Sequence, residues 1–81
     1  MATTRISLTP TWSLVATAAG FVGQKDPYVS VEVCNDTSLP TGSVDCHKIE
    51  EECNLQFPAP AAGNWYARVA DGSATIVVTE V

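Results

Sequence analysis

Three thiols, one imidazole and a run of carboxylates are the groups of this 81-residue chain that could do chemistry. They are Cys34, Cys46 and Cys53, then His47, then Glu50, Glu51 and Glu52. A cysteine becomes a nucleophile when a base removes its proton, and His47 is the natural base for Cys46 or Cys53. No nucleophile motif surrounds either thiol, however, and a partly exposed loop histidine is the simpler reading. The same residues form a Cys₃His set on paper. Its spacing is wrong for a zinc knuckle, and the neighbours Cys46 and His47 would point to opposite faces of any strand. Asp45 with the three glutamates could gather calcium, but the spaced ligands and glycine of an EF-hand loop are missing. The glutamates are contiguous rather than set across a cleft, so paired acid and base work has no evident geometry. "GFVGQK" lacks both the spacing and the Lys-Ser/Thr ending of a phosphate loop. These residues predict no enzyme activity, no metal site and no cofactor.

Composition narrows the partners. The formal charge is −5, and the four basic residues, Arg5, Lys25, Lys48 and Arg68, are scattered along the chain. No basic stripe exists for nucleic acid, and no apolar run reaches the length of a membrane span. The opening "MATTRISLTPTWSLVATAAG" has a cleavage-like "ATA", but polar residues and Pro10 interrupt its apolar core, so no secretory signal is expected. Three cysteines do not close a disulfide framework. One bridge is possible, with its connectivity open; in a reducing compartment the thiols would simply be buried, and the Asn-x-Thr triplet at Asn35 would be idle.

The elements that would position these groups read as strands. Short alternating segments are separated by Pro, Gly, Asn and Asp, without helical periodicity. "TRISLT" aligns Ile6 and Leu8; "WSLVATA" aligns Trp12, Leu14 and Ala16; "YVSVEVC" aligns Val29, Val31 and Val33, with Glu32 and Cys34 outward. "SVDCHKI" permits a short strand, although "DCHKIEEEC" also permits one helical turn, and "CNLQF" aligns Cys53, Leu55 and Phe57. Asp71-Gly72 predicts a two-residue hairpin turn joining "NWYARVA" to "SATIVVTEV". In that hairpin Trp65 faces Val78 and Ala67 faces Ile76 on one side, while Tyr66 with Val77 and Arg68 with Thr75 occupy the other. The expected fold is all-β: one domain over residues 1–81, a compact antiparallel sandwich or small barrel of six to seven short strands. It ends in a 65–80 hairpin, with residues 1–4 as a flexible arm or an added edge strand and Trp12 and Trp65 as core anchors. So small a domain is marginally stable alone. With disulfides and metal set aside, self-association through the Tyr66 and Val77 side would supply the missing burial.

"WSLVAT" near the start and "WYARVADGSATIVVTEV" at the end resemble small virion proteins of tailed bacteriophages. In that group an aromatic-Tyr-Ala-Arg strand, a short turn and a closing "A-x-hydrophobic-V-V-T-E" strand complete a compact β-domain. The resemblance implies a head decoration (cement) or fibre protein without catalytic residues, made in the host cytoplasm and located on the virion. It implies major capsid protein subunits and further copies of the chain, as a homotrimer, for partners. Tyr66, Arg68, Thr75 and Val77 would make the subunit or capsid contact, and Trp12, Val31, Trp65, Ile76 and Val78 would hold the core. The alternative is a glycan- or receptor-binding module of a tail fibre or adhesin, with Tyr28, Trp65 and Tyr66 stacking on sugar and Asn35 and Asp36 beside them.

Overall fold

Alternation of β-branched and aromatic residues with polar ones makes strands throughout, and no helix occurs among the described residues. A computed structural model describes residues 3–42 and 44–81. Eight strands follow one another: β1 (Thr3–Leu8), β2 (Ser13–Thr17), β3 (Phe21–Gln24), β4 (Val31–Asp36), β5 (His47–Ile49), β6 (Asn54–Phe57), β7 (Asn64–Val69) and β8 (Ala74–Glu80). They form two antiparallel sheets, one ordered β1-β8-β3-β6 and the other β2-β7-β4-β5; we call them sheet A and sheet B. Only β4 and β5 are consecutive strands that pair, and every other connection passes from one sheet to the other.

The predicted terminal hairpin is not formed. β7 lies between β2 and β4 in sheet B, and β8 lies between β1 and β3 in sheet A. Asp71-Gly72 is therefore a crossing between layers. A type I′ turn needs positive φ at both central residues; Gly72 has φ +72°, whereas Ala18 is the only non-glycine with positive φ among the described residues. The physical reason is burial. Trp65, Ala67 and Val69 on β7, and Ile76 and Val78 on β8, each make an apolar face. In two sheets those faces cover each other, and in one ribbon they would lie side by side and need a third element.

The core fills the space between the sheets. Leu8, Phe21, Leu55, Ile76 and Val78 enter from sheet A, and Val31, Val33, Trp65, Ala67 and Val69 from sheet B. At one end Phe21 stacks on Phe57 at 5.2 Å and meets the Trp65 edge at 6.2 Å. The Trp65 indole N–H is satisfied by the Pro58 carbonyl at 2.9 Å. Trp12, the other expected anchor, is buried in a separate cluster with Cys34 and Tyr66.

The two sheets hold one strand more than the six or seven expected. The eighth strand is β3, hidden because Gly20 and Gly23 read as loop breakers. Gly23 is instead a strand glycine, where a Cβ would stand 2.6 Å from the Val77 carbonyl oxygen. Of the readings open for "DCHKIEEEC", the short strand is the one formed, since His47–Ile49 pairs with β4. Of residues 1–4, Thr3 and Thr4 belong to the edge strand β1 rather than to an arm and pair with Thr79 and Val78; Met1 and Ala2 lie outside the described residues. In β2 the register slips between Leu14 and Ala16, so Val15 and Ala16 are both buried while Leu14 is exposed.

Loop anchorage also comes from a buried cation. Lys25 Nζ donates to the carbonyls of Asp26 (3.2 Å), Val29 (2.8 Å) and Glu50 (2.6 Å), which spends all three of its protons and ties the β3–β4 turn to the β5–β6 link.

Phe21 decides between a loop and a strand at this part of the chain. Phe21→Ala should cost about 3–5 kcal/mol in urea unfolding, because it empties a closed aromatic cluster. A loss below about 1 kcal/mol would mean that β3 is not in the core.

Candidate functional site

The four residues expected at an interface do not share a surface. Tyr66 and Arg68 alternate with the core residues of β7 and so lie on the outer face of sheet B. Thr75 and Val77 alternate with Ile76 and Val78 and lie on the outer face of sheet A. Splitting the hairpin has put the two pairs on opposite sides of the molecule.

Over β4 and β7 the outer face of sheet B is covered by the chain itself, while Leu14 on β2 stays exposed. One cross-strand row runs from Lys48 through Glu32 to Arg68. Arg68 Nε donates to Glu32 Oε1 at 2.7 Å, and Arg68 Nη1 donates to the Gly42 carbonyl at 3.1 Å. The guanidinium carbon lies 4.6 Å from the centre of the Trp12 ring, within cation–π range. Trp12 Nε1 donates to the same Gly42 oxygen at 2.9 Å. Gly42 has φ +69°, a conformation that glycine adopts without penalty. The next row holds Leu14, Tyr66 and Cys34, and Val44 and Cys46 pack onto Trp12, Cys34 and Tyr66. Tyr66 keeps 6% of its surface, and its hydroxyl accepts from Asn64 Nδ2 at 3.3 Å. The residues between β4 and β5 thus strap sheet B, and Tyr66 and Arg68 are engaged within the chain. For the same reason β4, expected to be half-buried, is buried on both faces from Val31 to Cys34.

The outer face of sheet A is open. Its rows follow from the register: Thr3, Thr79, Val22 and Gln56 in one, Arg5, Val77, Gln24 and Asn54 in the next, then Ser7 with Thr75. Two valines thus sit in a field of hydroxyl and amide groups with a single cation, Arg5. None of the nine carboxylates of the chain stands in these rows. Glu80, at the end of β8, is turned to the Thr17 backbone N–H at 2.9 Å. An open depression of about 510 Å³ lies over Val22, Gln24, Gln56, Val77 and Thr79. Sequence reasoning found Thr75 and Val77 here and missed Val22, Gln24 and Gln56. The alternation of Phe21 and Val22 was the available signal, and the flanking glycines obscured it.

The chemistry-bearing side chains are dispersed. His47 pairs with Val33 and faces inward at the rim of the core, 5.6 Å from the Phe57 ring and 6.4 Å from that of Trp65. Cys46 belongs to the outer-face cluster. Among the described residues no three His, Cys, Asp or Glu side chains gather as metal ligands would. All three cysteines are free: Cys34 buried, Cys46 partly buried, Cys53 exposed. Burial pushes the Cys34 thiol up to about 11, with the charges of Asp36 and Cys46 adding to it and Arg68 opposing. Burial, then Glu32, also raises Cys46, against Arg68 and Lys48. Of the aromatics offered for sugar stacking, Trp65 and Tyr66 are buried and Tyr28 is 94% exposed.

Comparison with protein-family models, curated proteins and solved structures finds no match to this chain.

Two measurements probe the strapped face. Arg68→Ala leaves Glu32 nearly buried without its partner and removes the stack on Trp12; it should cost about 3 kcal/mol in urea unfolding. Glu32→Gln, which keeps a hydrogen-bond acceptor for Arg68, should cost less than half of that.

The second is a pH dependence. Below pH 9 the Cys34 thiol is protonated in both folded and unfolded chains, and its contribution is fully present. Between pH 9 and about 11 the unfolded thiol ionises while the folded one stays protonated, so stability falls as pH rises. The difference corresponds to up to about 2.7 kcal/mol. Under reducing conditions the wild-type chain should lose about 2 kcal/mol more stability than Cys34→Ala between pH 8 and pH 11, where the folded thiol is itself half ionised. Parallel curves would show that Cys34 is not shielded.

Proposed function

We propose that the chain is a non-enzymatic structural protein of a tailed-phage virion, a head decoration protein docked on major capsid protein subunits through the outer face of sheet A. The observation that carries this reading is the open face itself. It is open and almost uncharged in a chain of net charge −5, and its apolar centre, Val22 and Val77, is ringed by groups able to hydrogen-bond with a protein surface. A broad face without a deep cleft suits docking on protein better than enclosing a small molecule. The closing "WYARVADGSATIVVTEV" supports the same reading by its resemblance to such virion proteins. On this reading the two facing sheets are a β-sandwich, and the chain acts as a homotrimer around a local symmetry axis. Many modest contacts then add up on a shell that presents its subunits in multiple copies.

Tyr28 favours a second reading, a glycan-binding module. Its ring is almost fully exposed beside Ser30, Asp71 and Ser73, where aromatic and polar groups stand together as a sugar would require.

Purified heads lacking the chain test the first reading. Wild-type protein should bind them saturably and run as a trimer in light scattering. Val22→Asp and Val77→Asp, each confirmed to be folded, should bind at least about tenfold more weakly, since each buries a charge in the contact. No binding to heads, or equal binding by both variants, would refute docking by this face. Retention of a sugar on an array that Tyr28→Ala abolishes would favour the glycan module instead.

A further inference from the structure

Of the three cysteines, two pack in one cluster on the outer face of sheet B. In β4 and β5 the paired residues are Val31 with Ile49, Glu32 with Lys48, and Val33 with His47. Continued one step beyond the end of β5, that register would set Cys34 opposite Cys46. Both thiols belong to the outer-face cluster of sheet B, and both line one depression with Asn35, Asp45 and His47. Directly opposed residues of an antiparallel pair have Cα atoms about 4.5–5.5 Å apart. A disulfide requires about 4.4–6.8 Å. Cys53 is exposed on the β5–β6 link, where its carbonyl accepts from the Lys25 amide, and it stands outside this cluster.

We infer that Cys34 and Cys46 are a disulfide-forming pair, closed by a low-molecular-weight disulfide such as oxidised glutathione, and that the bond locks the strap over sheet B. Cys46, the more exposed of the two, supplies the first thiolate. Its sulfur attacks the small disulfide, forms a mixed disulfide and releases one small thiolate, which takes up a proton. Cys34 then loses its proton and attacks the Cys46 sulfur, expelling the second small thiolate. Two protein thiols and one small disulfide become one protein disulfide and two small thiols. The ring so closed contains Gly42, whose carbonyl holds both Trp12 and Arg68. Oxidation therefore fastens the cover of sheet B, and the raised Cys34 thiol makes the second step faster at alkaline pH.

The test equilibrates the full chain and Cys53→Ser with oxidised glutathione at pH 8, then counts thiols after unfolding. Cys53→Ser should fall from two thiols to none without gaining the mass of glutathione, and the wild-type chain should form the same protein disulfide with at most one glutathione attached, at the exposed Cys53. Proteolysis at Asp36 and Asp45 separates the two cysteines, so the linked peptides identify the bond directly. The melting temperature of Cys53→Ser should rise by roughly 10 °C or more on oxidation and return on reduction, while Cys46→Ser should show no such rise. Retention of both thiols in Cys53→Ser, a wild-type protein disulfide that includes Cys53, or a melting temperature lowered by oxidation would each overturn the inference.

Discussion

Sheet B must be covered on both of its faces, and the rest of the structure accommodates that requirement. β4 and β7 carry Val31, Val33, Trp65, Ala67 and Val69 on one side and Cys34 and Tyr66 on the other. Sheet A can cover only the first. The second is closed by Trp12, which leads into β2, and by the residues that join β4 to β5. What fixes these two segments is polar. The Gly42 carbonyl receives N–H groups from both Trp12 and Arg68, and Glu32 neutralises the arginine. An apolar strap could slide over Tyr66, whereas two convergent hydrogen bonds and a stacked guanidinium define one position. The ion pair thus matters more for where the cover sits than for the energy of the pair alone.

The order of the strands answers the same requirement. Because consecutive strands, β4 and β5 apart, alternate between the sheets, each crossing brings an apolar strand face over one already laid down. The Asp71-Gly72 link shows how this overrides local chemistry. Asp-Gly between β-rich runs favours a tight hairpin. Pairing β7 directly with β8 would leave Trp65 and Ile76 neighbours in one layer with nothing opposite them. Burial across the core exceeds the preference of two turn residues, and only Gly72 keeps the positive φ.

That contest explains what could be read in the sequence. Strand positions and inward residues were legible where alternation was clean, as in Ile6 and Leu8, Val31 and Val33, and Ile76 and Val78, since period-two patterning reports burial directly. Which strands pair was not legible, because any apolar face can meet any other and the choice depends on the whole set. β3 was missed because glycine in a strand resembles glycine in a turn until the neighbouring backbone is seen. Tyr66 and Arg68 looked like interface residues for a sound reason, an apolar and cationic pair on a nominally outer face. Their cover came from Trp12, distant in sequence, and from a polar loop with no apolar periodicity.

The two outer faces are therefore unlike, and the difference bears on how so small a chain meets other molecules. A strapped face has its hydrogen bonds satisfied internally, so a partner there would have to displace Trp12 and leave Arg68 and Glu32 without their contacts. On sheet A the hydroxyl and amide groups around Val22 and Val77 are already hydrated, and a partner offering matching donors and acceptors exchanges water for protein at little cost. The carboxylates stand apart from these rows, where their desolvation would oppose contact. What each face would lose on contact thus differs more than the apolar area it exposes.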